Sequence, residues 1–414
     1  MRRIGEAWLL VTGALAFALF VLSLLGIPWA PVPVAIGVLA LLACATPLLL
    51  TIPSRPLTLS WWNLGDLVTL ALIGGYTRFA LAGPPTDPDF FLIWGVKGKI
   101  FFAHRGIDWA YLTWPVHNFT AHNDYPLLLP HLYSATALFN GEWSDRWLGA
   151  FNVAFGLAAM LIVRDLLAGE IAKPWRVLAT GMLVPLVFSP YVGIAEGPLV
   201  AFSIPALLLI RRGETLRGAL YLGLAAFTKN EGVTLTVAVA IALLLARRVK
   251  ELPRLWPAIA IPLPWLVLIR MHGLTNDLVA GGVLARIVER LTNPGPMLAT
   301  MARHPAGSLL FWSGIVFAAL LGWRSVVTRE RFFAAAVAVQ FLFFVAAYFV
   351  SPHDLGWHIR WSWERIVHQL MPAFVLLAIL ANGAMLRGTP LREKASPPGE
   401  RSPDAAPSGI FPPP

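Results

Sequence analysis

Two carboxylates stand two positions apart in the segment Asp87-Pro88-Asp89 and are the first candidates for chemistry. Such a pair can hold a divalent cation through oxygen ligands, or one member can act as a general base. An acidic loop tip would have the same sequence. The pair directly precedes the aromatic run 90–94, and we expect Asp89, which adjoins that run, to be the base in preference to Asp87.

A charged pair interrupts the apolar stretch 217–246 at Lys229-Asn230-Glu231. A turn between two helices with a neutralising Lys–Glu pair would explain it. Glycine and serine would be enough for a turn, however, and ionisable groups at a membrane boundary are costly to keep there. We therefore interpret Lys229 and Glu231 as substrate-binding residues that line a cavity.

The segment before the last apolar run combines imidazole, carboxylate and guanidinium groups, namely His353, Asp354, His358, Glu364 and Arg365. An interfacial belt needs only Trp, Tyr and Arg, so the extra groups favour a site. Arg presents a planar fork that suits phosphate. We expect His358 and Arg365 to contact substrate, and Arg365 to form a phosphate clamp with Lys229. The alternative is two internal ion pairs, Lys229 with Glu231 and Arg365 with Glu364.

Three further polar residues belong to the same set. Asp124 and Tyr125 lie in a short polar motif, and Glu196 stands between two apolar stretches. We interpret all three as substrate-binding. His117 and His122 have no spacing typical of a metal site and are expected to be structural or to contact substrate.

The composition indicates a membrane protein. Of the 414 residues, 57% are hydrophobic and 13% are charged, against about 25% charged in soluble domains. The apolar blocks 9–27, 31–51, 332–350 and 366–386 each approach the ~20 residues that span a hydrocarbon core. The net charge of +10 is spread over short basic runs between these blocks, which is the positive-inside pattern and excludes a nucleic-acid-binding domain.

The basic runs predict the threading of the chain through the bilayer. They predict an all-α, polytopic bundle of about twelve spans over residues 1–386, with both termini cytoplasmic. The segments 83–146 and 271–307 become external loops, and 126–140 a re-entrant or juxtamembrane helix within the first of them. The Pro- and Ser-rich tail 387–414 is expected to be disordered in the cytoplasm. The polar candidates all come to the external face.

Five short motifs resemble a known family of membrane enzymes. In chain order they are Asp87-Pro-Asp89, Asp124-Tyr125-Pro126-Leu127, Glu196 in Ile194-Ala-Glu-Gly197, the Thr228-Lys229 element, and the ending from Ser351 to Arg365. Their order and sidedness resemble GT-C glycosyltransferases of the protein O-mannosyltransferase and lipid A aminoarabinose transferase group. The Tyr-Pro element lacks the second Pro and the adjacent Lys of those relatives.

The resemblance implies a glycosyltransferase of the cytoplasmic membrane with its active site on the external side. The donor would be a polyprenyl-phosphate sugar and the acceptor a glycan, lipid or protein of the envelope. Asp89 or Asp87 would be the base, and a divalent cation at these two residues could assist; no other cofactor is expected. The alternative function is a transporter or flippase for a lipid-linked or polar solute, which would place its site near the midplane, often between internal repeats.

Overall fold

The chain is described by a computed structural model that covers residues 1–52, 63–114, 122–274, 276 and 281–387. The described residues form helices joined by short connections. The first half contains α1 (Arg2–Leu24), α2 (Pro31–Leu50), α3 (Leu64–Ala80), α4 (Gly95–His104), α5 (Trp109–Thr113), α6 (Leu128–Asn140), α7 (Ala150–Leu167) and α8 (Lys173–Val187). A π-helical turn, Phe90–Trp94, leads into α4. The all-α class predicted from the sequence is confirmed.

The second half continues in the same manner. It contains α9 (Glu196–Arg211), α10 (Thr215–Ala226), α11 (Asn230–Leu245), α12 (Trp256–Ala260), α13 (Leu263–Met271), α14 (Val283–Thr292), α15 (Gly295–Arg303), α16 (Leu309–Leu321), α17 (Trp323–Val327), α18 (Arg331–Val350), α19 (Leu355–His368), α20 (Met371–Ala381) and α21 (Gly383–Leu386). A 3₁₀ turn, Val249–Leu255, precedes α12. His117 and the tail from 388 lie outside the described residues.

Five helical segments of the described chain are long and apolar enough to cross a membrane, or six when the bent pair 249–271 counts as one span. The chain is therefore a multi-pass membrane protein by length and composition, but the expected number of about twelve spans is not reached. Several segments counted as spans form shorter helices: α10 has 12 residues and is about 18 Å long at 1.5 Å per residue. The hydrocarbon core is about 30 Å thick.

The last candidate span also differs from its predicted bounds. It covers Leu355–Ala381, whereas the sequence predicts that it begins at 366. The added part is most of α19. Its polar residues made the sequence before 366 look unlike a span, although it is helical and leads into the apolar run 366–386. Arg365 therefore lies inside this segment and not before it.

Helix α6 contains most of the stretch 126–140 that was expected not to cross. It is 13 residues long and packs on α1 and α4. His131 is fully buried, and its ring Nδ1 lies 2.9 Å from the carbonyl oxygen of Ala16 in α1. This helix is short for a span and most of its side chains are buried, and its re-entrant or juxtamembrane position stays a prediction.

The connections assigned to the cytoplasm meet at one end of the bundle. Arg211 binds Glu330 through two nitrogens and reaches Glu170 at 3.2 Å, while Arg329 contacts Glu170 at 2.5 Å. We call these four residues the Glu330 network. Arg2, at the start of α1, donates to Glu214 at 2.6 Å, and Glu214 follows Arg211 by three residues in the chain. The positive-inside threading placed all these segments on one side without knowledge of their contacts.

Candidate functional site

A cluster of charged side chains forms where four distant segments meet. The carboxylate oxygen Oε1 of Glu196 lies 2.8 Å from Lys229 Nζ and 3.2 Å from Arg365 Nε. Lys229 also contacts Glu231 at 2.8 Å, and Arg365 Nη1 lies 2.5 Å from Asp89 Oδ2. Together with Asp87, these residues form what we call the Glu196 cluster.

The local structure explains how each carboxylate reaches the cluster. Asp87 Oδ1 accepts a hydrogen bond from the backbone N–H of Asp89 at 2.9 Å, which folds the motif into a tight turn before the π-helical turn. Glu196 is the first residue of α9, where the positive end of the helix dipole favours an anion. Arg365 projects from the last turn of α19.

Lys229 is positioned by a close crossing of two helices. It has an extended backbone and stands between the end of α10 and the start of α11. A Cβ on Gly232 would lie 2.3 Å from the backbone of Ala225, so only glycine permits this approach. The turn alternative for Lys229-Asn230-Glu231 is thus partly correct, because the residues do connect two helices and Lys229 does pair with Glu231. The ammonium group also reaches Glu196.

The alternative in which Arg365 pairs with Glu364 is not what the structure shows. Arg365 pairs with Asp89 and Glu196, while Glu364 is exposed. Adjacent residues on a helix point in different directions, so they rarely face each other. Arg365 Nη2 has no hydrogen-bond partner within the described part of the chain and remains available to a ligand.

The cluster has an excess of acidic groups. Two cations, Lys229 and Arg365, face four carboxyl groups. Glu196 is 1% exposed, and its second oxygen Oε2 accepts no hydrogen bond from any described residue. Burial raises the pKa of Asp87 above its ordinary value, and the neighbouring Asp89 adds to that effect, although the backbone hydrogen bond and Arg365 oppose it. Asp87 is consequently the carboxyl group best placed to exchange a proton.

Asp124 is a buried residue outside the Glu196 cluster that hydrogen-bonds to three other segments of the chain. Its Oδ2 accepts hydrogen bonds from Asn230 at 2.9 Å and Asn276 at 2.7 Å, and its backbone oxygen accepts one from Trp265. Burial raises the pKa of Asp124, against the opposing charge of Lys97. Asp124 thus ties the segments 83–146 and 271–307 to Asn230, the residue after Lys229, which indicates a positioning role.

Lys97 is a buried cation that the sequence analysis missed. It is fully buried in α4, and its ammonium donates to the carbonyl oxygen of His122 at 2.5 Å. Burial lowers its pKa to about 7, while Asp124 acts in the opposite direction. Gly95 and Gly98 flank Lys97 in the sequence and could have indicated that this part of α4 is closely packed. The structure shows such packing, because a Cβ at Gly98 would lie 2.9 Å from Tyr133.

Tyr125 follows Asp124 in the chain and lies near the Glu196 cluster. Its ring stacks on His122 with centroids 4.7 Å apart and packs on Trp94 at 5.6 Å. Tyr125 also acts electrostatically on Arg365, which places the phenol near the Glu196 cluster. The structure therefore brings this predicted residue to the site.

Two more residues near the cluster were not predicted. Tyr191 lies within electrostatic reach of Asp87, Glu196 and Arg365, and its ring packs edge-on against His368 at 6.1 Å. His368 stands three residues after Arg365 on the same helix face. His368 could have been predicted to lie near the cluster from its i, i+3 spacing to Arg365 on a helix. No sequence pattern indicated Tyr191, which is an isolated residue in a connection between helices.

His358 lies on α19 two helical turns before Arg365. Its ring packs on Tyr348 at 4.8 Å and on His353 at 5.5 Å. These contacts place it beyond the Glu196 cluster along the helix. Its predicted substrate contact stays a prediction.

The metal hypothesis for Asp87 and Asp89 receives no geometric support. Among the described residues, no group of three or more His, Cys, Asp or Glu side chains is arranged to hold a metal ion. One oxygen of Asp87 is bonded to the backbone and one of Asp89 to Arg365. The two side chains are used to shape the cluster.

A narrow cavity of about 20 Å³ begins at Glu231 and continues between α9, α11 and α18. Gln340 and Gln369 line it among apolar side chains. Both side-chain amide atoms of Gln369 lack a hydrogen-bond partner in the described structure. The volume is enough for one water molecule, for which roughly 10–15 Å³ is needed.

Comparison with protein families, characterised proteins and solved structures finds no match to this chain. The function must therefore be argued from the site itself.

Proposed function

We propose that the chain is a membrane glycosyltransferase of the GT-C type. It transfers a sugar from a polyprenyl-phosphate donor to an envelope acceptor at the outer face of the cytoplasmic membrane. The observation that carries this proposal is the Glu196 cluster, in which Arg365 and Lys229 share one carboxylate oxygen beside Asp87 and Asp89. A cation pair beside a protonatable carboxyl group provides the two functions that sugar transfer needs.

The reaction assigns each group a role. The acceptor hydroxyl oxygen attacks the anomeric carbon of the sugar, the bond from that carbon to the phosphate oxygen breaks, and polyprenyl phosphate leaves as an anion. Arg365, through its unoccupied Nη2, and Lys229 stabilise the charge that develops on the leaving phosphate. Asp87 takes the proton of the hydroxyl. Asp89 holds Arg365 in place through their ion pair.

The depth of the cluster suits a lipid-linked donor. Arg365 is the eleventh of the 27 residues of a candidate span, and the part of that span before it, in α19, is rich in polar side chains. A lipid phosphate stays at this depth because burying its charge deeper is costly and its tail partitions into hydrocarbon. The external position of the cluster and the cytoplasmic position of both termini follow from the positive-inside pattern and belong to the proposal.

The acidic excess of the cluster opposes an anionic donor. Protonation of Asp87, which its raised pKa favours, reduces that excess. We therefore expect donor affinity to increase as the pH falls, while the transfer rate decreases because the base becomes protonated. Opposite trends of binding and turnover distinguish this arrangement from a simple phosphate site.

A transporter is less well supported by the same geometry. Transporter sites lie near the midplane, whereas the Glu196 cluster stands near one end of its helices. The cavity that continues inward from Glu231 has a volume of about 20 Å³, too small for a lipid headgroup or a sugar. Movement of donor lipid without sugar transfer in proteoliposomes would identify a flippase.

The test is donor titration of the purified protein against a panel of synthetic polyprenyl-phosphate sugars. Arg365→Met should weaken donor binding about 10- to 100-fold, since hydrogen bonds to charged groups contribute roughly 1.5–3 kcal/mol. Arg365→Lys should recover part of the loss. Arg360→Met, an exposed position on the same helix, is the matched control and should bind donor normally.

Lys229 requires a second variant, because removing one partner of a buried ion pair can prevent folding. The double variant Lys229→Met with Glu231→Gln keeps the net charge and should fold, yet bind donor weakly. Unchanged donor affinity and turnover in the folded Arg365→Met and double variants would rule out the phosphate clamp.

A further inference from the structure

A second cavity lies outside the Glu196 cluster, where α14 and α15 pack over the start of α19. Its volume is about 280 Å³, close to the lower end of the roughly 300–1,000 Å³ typical of small-molecule sites. It is lined mainly by polar side chains: Glu289 and Arg290 of α14, Asn293 directly after that helix, and His353 and Asp354 before α19. We propose that this cavity binds an uncharged or amino sugar unit of the acceptor, an assignment of role that rests on the proposed function.

The cavity has a fixed wall and available polar groups. Arg290 Nη1 donates to the backbone oxygens of Tyr348 at 2.6 Å and Ser351 at 2.7 Å, which fastens α14 to the end of α18. Asp354 Oδ1 accepts from the N–H of Trp357 and caps α19. Within the described chain, the side chains of Glu289 and Asn293 make no hydrogen bond and are exposed at the cavity. A carboxylate and an amide so placed can bind hydroxyl groups.

The charges decide which sugars fit. Glu289 and Asp354 are both acidic, and Arg290 is the cation that faces them from α14. Its guanidinium is already bonded to two carbonyl oxygens. Carboxylated or phosphorylated sugars would meet net repulsion, whereas hydroxyl groups and an ammonium group would find acceptors. The cavity therefore differs from the Glu196 cluster, where the proposed function assigns the unoccupied Nη2 of Arg365 to a phosphate.

An aromatic side chain packs on His353, one of the residues that line this cavity. Trp357 is 52% exposed, stands one helical turn after Asp354, and lies 5.5 Å from the ring of His353. An exposed indole offers a flat apolar face to a sugar ring, and its π-face attracts an ammonium group. Hydrogen-bonding groups beside an aromatic face form a surface suited to carbohydrate.

The position implies an elongated acceptor. Asp354 precedes Arg365 by eleven residues of α19, which is about 16 Å along the helix axis. A sugar bound in the cavity is thus separated from Asp87 by more than one unit. The acceptor would be anchored by this unit while another unit presents its hydroxyl to the Glu196 cluster.

The experiment measures binding of soluble tetrasaccharides to the full chain in lipid nanodiscs by saturation-transfer NMR. The probes are tetramers of N-acetylglucosamine, of glucosamine and of galacturonate. We expect saturable binding of the first two and at least tenfold weaker binding of the acidic tetramer. Asn293→Ala should weaken neutral and amino tetramers about tenfold, and Glu289→Gln should weaken the amino tetramer more than the neutral one.

Thr292→Ala and Thr300→Ala are matched controls. Both threonines are in α14 or α15, and their hydroxyls bond to carbonyl oxygens of their own helix. These variants should bind all tetramers as the wild type does. No saturable binding, tightest binding of the acidic tetramer, or equal effects of Asn293→Ala and Thr292→Ala would overturn the proposal.

Donor titration separates this inference from the proposed function. Donor binding that depends on Arg365, together with no binding of any tetramer, would refute the sugar cavity alone. Tetramer binding that depends on Asn293, together with no donor binding, would refute the transferase and leave the cavity as a carbohydrate site.

Discussion

The two ends of the helix bundle both contain buried ion pairs, but they use them differently. In the Glu330 network, two arginines face two glutamates, and each glutamate is contacted by both arginines. In the Glu196 cluster, two cations face four carboxyl groups, and Glu196 Oε2 has no hydrogen-bond partner in the described chain. Balanced charges hold helices together, whereas unbalanced charges leave groups for a ligand or a proton.

The pKa values show the same difference. Burial acts to raise the pKa of Glu170, but hydrogen bonding and charge from Arg211, together with Arg329, hold it below the ordinary value. Burial raises the pKa of Asp87 despite Arg365. Glu170 thus contributes stability that is present above pH 4.5 and is lost as the pH falls through its lowered pKa. Asp87 contributes stability below pH 3.8 that is lost as the pH rises through its raised pKa.

The largest expected effect is on accessibility from outside the cell. In a Cys44→Ala background, cysteine at Thr86 beside the Glu196 cluster should react with an impermeant thiol reagent, and cysteine at Thr328 beside the Glu330 network should not. Both positions are exposed, so burial does not prevent labelling. Reaction at 328 with none at 86 would reverse the orientation and move the site to the cytoplasm.

Next in size is the effect of removing the proposed base. Asp87→Asn should lower the turnover number about 10²- to 10⁴-fold, the usual contribution of a general base. Its fold should persist, because the Asn carbonyl can still accept the N–H of Asp89, and Asn resembles the protonated state that burial favours. Asp89→Asn should mainly weaken donor binding, through Arg365.

The pH profile checks the same assignment. Wild-type turnover should fall as the pH decreases through a value above the ordinary 3.8 of Asp, since the base must be ionised. A greater loss of turnover in Asp89→Asn than in Asp87→Asn would instead return the base to Asp89, as the sequence motif favours.

An effect of similar free energy concerns stability at the balanced end. Glu330→Gln should lower the free energy of unfolding by about 3–5 kcal/mol, because Arg211 would keep a buried charge with a weakened partner. Thermal unfolding in detergent measures this, with the exposed Glu142→Gln as the control. Equal melting temperatures of the two variants would show that the Glu330 network does not stabilise the fold.

Several features could be predicted because they depend on local composition. Helical class follows from apolar runs, and the joining of basic connections at one end follows from the positive-inside pattern. The gathering of Asp89, Glu196, Lys229 and Arg365 followed from the same threading. The number of spans did not, because α9 to α11 are short helices that pack on one another and whose ends the hydropathy pattern does not reveal.

By itself, the sequence determined that this is an all-α membrane protein and that Asp89, Glu196, Lys229 and Arg365 belong to one end of its bundle. Charge and apolarity act on each segment separately, so their effects can be summed along the chain. Only the tertiary structure decided that Arg365 pairs with Asp89 and not Glu364, and that Lys97 is buried beside Asp124. These outcomes depend on helix rotation and on close packing at Gly232 and Gly98, where distances of a few ångströms select one partner among several of equal charge.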